Sequence, residues 1–218
     1  MGKLLTTLKN EFFSDWFGFI FLITGVVLQL VVYQMTNDSM LSMISGVSGI
    51  IAVVLCSQRK FIFYLFAWIQ LITYVILAYE QRLYGEIIEN IFYAITMIIG
   101  MFMWYFNYDK DNGKVESLKQ GTWEFISTLI LMVILIAIFY NNLSVTDDTQ
   151  PFLDSITTIP AFIAQILLIM RYREQWVFWL IIDVASILMW IHAGNWCMVI
   201  QFIFWTINCI YGFYNWSK

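Results

Sequence analysis

Residues 176–192 read WVFWLIIDVASILMWIH, and the fold turns on how that run is taken. A helix that crosses a bilayer needs about 20 predominantly apolar residues, and this run fits except for Asp183 at its centre. Seven other stretches fit the same description: 16–35, 40–57, 61–79, 86–107, 122–141, 151–170 and 196–216. Eight spans of about 20 residues occupy about 160 positions, which leaves little of a 218-residue chain for a soluble domain. An all-α membrane protein with eight transmembrane helices is therefore expected.

The composition points the same way. Apolar residues make up 61% of the chain and charged residues 12%, against roughly half and a quarter in soluble domains. A soluble fold of this size buries only about 70% of its surface, so the surplus must meet lipid. Disorder and a disulfide scaffold are excluded, and a formal charge of −4 offers no basic face to nucleic acid. Cys56, Cys197 and Cys209 lie singly in apolar runs without the spacing of metal ligands, and read as small buried hydrophobes. No metal and no cofactor is expected.

Basic residues orient the spans, because cytoplasmic loops collect Lys and Arg. With the N-terminus inside, Lys3, Lys9, Arg59, Lys60, Lys110, Lys114, Lys119, Arg171, Arg173 and Lys218 all fall on the cytoplasmic side, and Arg82 alone lies outside. Both termini are expected in the cytoplasm. Ahead of the first span, Leu4, Leu5, Leu8 and Phe12 recur at helical spacing among Lys3, Lys9 and Glu11. That is the pattern of a short helix lying in the membrane interface, or of a frayed polar start.

The chain also resembles itself. Gly100 and Trp104 lie 112 positions before Gly212 and Trp216, and the same shift carries Tyr93 to Trp205 and Thr96 to Asn208. A shift of 113 carries Phe63, Phe66 and Gln70 to Trp176, Trp179 and Asp183, so one loop residue is expected to separate the two registers. Residues 1–38 then form an interfacial segment and an extra N-terminal helix, and 39–107 a first three-helix bundle. Residues 108–150 supply a polar linker, a connecting helix and an outside loop, and 151–218 a second three-helix bundle. Three helices reverse the chain's direction and one intervening helix restores it, so the bundles run parallel. Parallel repeats of this kind hold substrate at the repeat interface near the bilayer midplane. Pro160, inside the sixth span, removes a helix hydrogen bond, and its counterparts by offset lie near Gly46 and Gly49. These positions are either hinges for a rocking motion or static kinks that aid packing.

Asp183 is the one acidic residue expected in the middle of a span, since Glu86, Glu89, Glu124 and Asp154 lie within a turn or two of a helix end. An Asp at a helix centre costs at least ~2.5 kcal/mol on insertion scales, so it faces an internal cavity and has a partner. No Lys or Arg lies at its depth. Either the carboxyl is protonated and bonds across helices, or its counter-charge arrives with a ligand. Trp176 and Trp179 share its helix face. Gln201, Trp205, Asn208 and Tyr211 form a similar stripe on the last span, and Gln70 with Tyr74, and Asn90, Tyr93 and Thr96, do so in the first unit. Aromatic faces stack on a flat ring and attract a cation at ~0.5–2 kcal/mol each, while amides and carboxylates bond sugar hydroxyls. Such a lining suits a flat, partly aromatic ligand with several hydroxyls.

At these residues the sequence resembles the PnuC family of bacterial vitamin transporters, whose typical substrate is nicotinamide riboside. The resemblance rests on W-x-x-W-x-x-x-D at Trp176, Trp179 and Asp183, and on N-x-x-Y-x-x-x-x-W at Asn208, Tyr211 and Trp216. Where the family often shows an aromatic-rich ending in the first unit, this chain has Ile98, Ile99, Gly100, Met101, Phe102 and Met103, a departure in the first-unit half of the site. The resemblance implies a SWEET-like fold of paired three-helix bundles, a homotrimer, and a multi-pass location in the bacterial inner membrane. It also implies facilitated diffusion, with the vitamin trapped in the cell by a separate cytoplasmic kinase.

The residues agree that nothing couples transport to ATP, because no G-x-x-x-x-G-K loop is present and Gly113 and Lys114 stand alone in the linker. The pyridinium of nicotinamide riboside would bring the positive charge that Asp183 lacks, and its ribose would use the amides. Thiamine, another cationic aromatic vitamin, is not separated from it by charge, whereas neutral riboflavin fits less well. A membrane enzyme is disfavoured: His192, the only His, lies at a helix end, and no carboxylate pair or metal cluster shares a face with Asp183.

Overall fold

Eight helices carry about four-fifths of residues 16–217, which the computed structural model describes. They are α1 (Trp16–Met35), α2 (Met40–Ser57), α3 (Phe63–Glu80), α4 (Tyr84–Phe106), α5 (Thr122–Leu143), α6 (Pro151–Ile169), α7 (Gln175–His192) and α8 (Trp196–Trp216). Each is long and apolar enough to cross a membrane. The segment around Leu4, Leu5, Leu8 and Phe12, with Lys3, Lys9 and Lys218, lies outside the described residues.

Local chemistry sets the helix ends. Ser39 accepts the Ser42 N–H at 3.1 Å to open α2, and Asn195 accepts the Met198 N–H at 3.2 Å to open α8, as N-cap side chains do. Pro151 stands at the start of α6, where its missing N–H costs nothing. The turns leaving α2 and α6 each place an Arg at positive φ, Arg59 at 61° and Arg171 at 65°. Those leaving α3 and α7 do the same with Arg82 at 56° and Gly194 at 71°. A residue in this left-handed conformation stops a helix by redirecting its last N–H groups.

Both pairs of turns are 112 positions apart, and so are the ends of α3 and α7. The repeat therefore keeps one register throughout, which corrects the expected change to 113. Under the true shift Tyr64 corresponds to Trp176, Ala67 to Trp179 and Leu71 to Asp183. The match of Phe63, Phe66 and Gln70 reflected a similar aromatic spacing one position out of register. The correspondence is structural: the Tyr64 hydroxyl sits where a Cβ on Gly100 would be, 2.5 Å from it, and Trp176 Cε2 stands at 2.5 Å from the same position on Gly212. Each glycine thus admits a ring from the middle helix of its own bundle.

Six helices close into a ring in which α2 packs on α3, α3 on α4, α4 on α6, α6 on α7, α7 on α8, and α8 on α2. Shifting every label by one repeat leaves this order unchanged, so the ring has a pseudo-twofold axis. Helix α1 lies outside it against α2 and α8, and α5 lies outside against α6. Only Met132 and Leu143 of α5 are buried, as expected for a helix that faces lipid on most sides.

Both ends of the ring are fastened across the axis. At one end the Trp104 indole N–H donates to the Leu168 carbonyl at 3.1 Å and that of Trp216 to the Cys56 carbonyl at 3.3 Å. At the other, Asp154 accepts the Gly85 N–H at 2.6 Å and Asp38 accepts the Cys197 N–H at 2.6 Å. These carboxylates sit at the N-termini of α4 and α8, where the helix dipole favours negative charge.

The linker crosses the first of these ends. It forms a hairpin of β1 (Tyr108–Asp109) and β2 (Lys114–Val115), whose turn is held by Asp109 accepting from Asn112 and from the Asp111 N–H. Those bonds, the Asn112 side chain first, keep the Asp109 carboxyl below the usual carboxylate range. Beyond it the Val115 N–H donates to the Arg59 carbonyl at 3.2 Å and the Leu118 N–H to the Arg171 carbonyl at 2.7 Å. Ser117 donates to the Trp216 carbonyl at 2.8 Å.

Candidate functional site

A cavity of about 130 Å³ lies inside the ring and takes side chains from all six of its helices. Its walls change character along its length. Toward the linker end they are aromatic and apolar, with Trp176, Trp179, Phe63, Cys56 and Leu168. Toward the far end they are polar, with Tyr74, Glu86, Glu89, Asn90 and Ser186. Asp183, Gln70, Tyr93 and Trp205 stand between.

Asp183 is 1% exposed. Its Oδ2 accepts the Cys209 thiol at 3.2 Å, and its Oδ1 makes no hydrogen bond. Trp179, one helical turn away, approaches Tyr93 across the cavity with ring centroids 6.0 Å apart. Its indole N–H donates to Gln175 at 3.4 Å, which sets the ring's tilt. At the far end the Tyr74 hydroxyl donates to Glu86 Oε2 at 2.6 Å and accepts from the Trp190 indole at 3.1 Å. Glu86 Oε1 and Glu89 Oε2 are buried without a hydrogen bond. The lining contains three carboxylates and no Lys or Arg.

Of the residues singled out from the sequence, Trp176, Trp179, Asp183, Trp205, Gln70, Tyr74, Asn90 and Tyr93 line this cavity. Five do not: Thr96, which accepts from Gln165 at 3.2 Å, and four on or near the expected stripe of α8. Gln201 is fully buried against Gly49. Asn208 donates to the Val53 carbonyl at 3.1 Å, joining α8 to α2. The Tyr211 hydroxyl lies beside Gly18 of α1, and Trp216 is the indole of the fastening already described. The physical reason is rotational: the cavity face of α8 carries Phe202, Trp205 and Cys209, while the stripe from Gln201 to Tyr211 turns toward α2 and α1.

Glu86, Glu89, Cys209 and Gln165 are among the lining residues that were not anticipated. Glu86 and Glu89 were assigned to a span end, yet they are 2% and 5% exposed and reach the cavity. Their spacing with Asn90 and Tyr93 on one helix face was the available signal. Cys209 touches Asp183 rather than acting only as a small hydrophobe. Gln165, also in the lining, carried no signal beyond being an amide in a span.

Helix α6 is continuous through Pro160. Gly46 and Gly49 give room to neighbouring side chains, the first to Gln29 of α1 and the second to Trp205 and Gln201 of α8.

The family model described as "Nicotinamide mononucleotide transporter" matches residues 39–218. The nicotinamide riboside transporter PnuC of Haemophilus influenzae is 36% identical over 99% of this chain and 96% of its own length. That of Neisseria mucosa is 28% identical over 100% of this chain and 88% of its own. A crystal structure titled as the vitamin B3 transporter PnuC superposes with a TM-score of 0.84 at 27% identity, covering 97% of this chain and 95% of that one. A ring of membrane-spanning helices around a cavity suits a carrier of small solutes, and with these matches the chain belongs to the nicotinamide mononucleotide transporter family, that of the PnuC transporters.

Proposed function

We propose that this chain carries nicotinamide riboside across the bacterial inner membrane by facilitated diffusion, with the vitamin held in the cavity between the two bundles. The observation that carries this reading is the cavity's lining: buried carboxylates with unfilled oxygens beside Trp and Tyr rings. A pyridinium supplies the missing positive charge and stacks on the rings. The relatives are named for the riboside and the family model for the phosphorylated mononucleotide. Charge separates the two. A phosphate placed among Glu86, Glu89 and Asp183 would find no Lys or Arg in the lining to hold it. The riboside is the better fit.

Within this reading Trp176, Trp179, Asp183, Trp205, Gln70, Tyr74, Asn90 and Tyr93 contact the substrate. Asn208, Gln201 and Trp216 support the helices that carry them, and Pro160 supplies a point of bending. Both termini and the linker lie in the cytoplasm, following the basic residues. Three copies assemble, and a separate kinase traps the product of transport. The chain itself performs no chemistry on its substrate.

Calorimetric titration of the purified protein with nicotinamide riboside, nicotinamide, thiamine and riboflavin tests the substrate, and uptake into proteoliposomes without an energy source tests the mode. Riboside binding at least tenfold tighter than the rest is expected. Tighter binding of thiamine, a second aromatic cation, would transfer the reading to that vitamin.

A further inference from the structure

The polar end of the cavity has a task that the aromatic end does not explain. Asp183 and the rings of Trp176 and Trp179 account for a flat cation. On α4, facing the same cavity, Glu89 is 5% exposed and has an Oε2 with no donor. Its neighbour Glu86 differs, because Tyr74 and Trp190 fix one of its oxygens in a chain of hydrogen bonds. A buried acceptor left without a donor is costly, and an orphan of this kind calls for an explanation. Here the surrounding groups can hydrogen-bond: Tyr93 one turn along α4, Asn90 beside it, Ser186 across the cavity, and the Glu86 carboxylate.

We infer that Glu89 recognises the ribose, accepting hydrogen bonds from its vicinal hydroxyls, so that the substrate lies with its ring toward Trp176 and Trp179 and its sugar toward the far end. The inference rests on the reading of the chain as a riboside carrier and deepens it. A carboxylate has two oxygens side by side and only accepts, which suits two adjacent hydroxyl donors. A site built this way rejects a ligand that lacks the hydroxyls, because its buried acceptors then stay unpaired. Glu89 is thus a specificity-determining residue: Asp183 answers the charge of the ring, and Glu89 answers the sugar.

The test uses the full chain in detergent and three probes: nicotinamide riboside, its 2′-deoxy analogue, and N-methylnicotinamide, which keeps the cationic ring and has no sugar. The wild type should bind the deoxy analogue about tenfold more weakly than the riboside. Glu89→Gln should lose about tenfold for the riboside while binding N-methylnicotinamide as the wild type does, which also reports that the variant is folded. Equal loss for riboside and N-methylnicotinamide would reduce Glu89 to a general negative charge and overturn the inference, as would an unchanged affinity for the riboside. If Glu89→Gln does not fold, the wild-type comparison decides, and equal affinity for the riboside and its deoxy analogue overturns it. Failure of the carrier reading looks different: the wild type then binds no riboside at all, and the inference falls with it.

Discussion

The indole rings of Trp104 and Trp216 lie 5.8 Å apart, centroid to centroid, at the linker end of the helix ring, and each donates its N–H to a carbonyl of the opposite bundle. The accepting carbonyls, Leu168 and Cys56, also receive the N–H groups of Arg171 and Arg59, so the arrangement is the same on both sides of the pseudo-twofold axis. Replacing either indole by Phe keeps a ring in place and removes one donor. Trp104→Phe and Trp216→Phe should each lower the unfolding free energy by about 1 kcal/mol. The double variant should depart from the sum, since touching residues are not additive. Thermal unfolding in detergent measures this, and wild-type melting in both single variants would show the fastening to be idle.

Asp183 offers one oxygen to Cys209 and one to the cavity. Asp183→Asn keeps the shape and removes the charge, so it should weaken binding of a cationic vitamin by about tenfold or more without unfolding the protein. Calorimetry with nicotinamide riboside checks the first part and size-exclusion behaviour the second. Unchanged affinity would remove Asp183 from the site.

Trp179 borders the cavity, whereas Trp196 is 48% exposed at the start of α8. Loss of a stacking face costs ~0.5–2 kcal/mol, so Trp179→Ala should lower riboside affinity by up to about thirtyfold, whereas Trp196→Ala should leave it within twofold. Similar losses at both positions would mean that the ring does not stack where the cavity places it.

Gly212 and Gly100 admit rings of different stiffness at the point of contact. An added Cβ at Gly212 meets the body of the Trp176 indole, while one at Gly100 meets the tip of Tyr64, its hydroxyl. Overpacking of a rigid neighbour costs roughly 1–3 kcal/mol. Gly212→Ala should therefore destabilise the protein and also weaken ligand binding, because Trp176 lines the cavity. Gly100→Ala should affect stability more than binding. A binding loss as large in Gly100→Ala as in Gly212→Ala would contradict this.

At the positive-φ position of the two α3–α4-type turns the repeat exchanges Arg82, at φ 56°, for Gly194, at φ 71°. A side chain in this region costs roughly 1–2 kcal/mol, and Arg82 recovers little through its ion pair with Asp147 at 3.9 Å, where both side chains are about two-thirds exposed. Arg82→Gly should stabilise by up to about 1 kcal/mol after the entropy of glycine is set against it. Gly194→Ala should destabilise by a similar amount although nothing lies within 4 Å of the new Cβ. Melting temperatures that move in the same direction would refute the argument.

The eight spans could be read from the chain because contact with lipid demands long apolar runs, and only their ends moved. Glu86 and Glu89 already lay inside the expected span, and α4 begins only two residues earlier, at Tyr84; what the spacing did not reveal is that their face meets the cavity. Trp176, Trp179 and Asp183 were legible because a charge in the middle of a span has few places to go. The polar residues of α8 were not, since periodicity reveals that Gln201 and Asn208 share a stripe but not which neighbour the stripe meets. Here it meets α2, and Asn208 spends its amide on the Val53 carbonyl. The register of the repeat was obscured in α3 and α7 by an abundance of aromatic residues, and only the positive-φ turns resolve it.

Each half of the ring holds out the group that closes the other at the linker rim: an indole for a helix C-terminus. That reciprocity is the mark of an isologous contact, the kind two identical subunits make about a dyad. Here the two halves of one polypeptide stand where two subunits would, and neither moiety can be latched shut in the absence of its sibling.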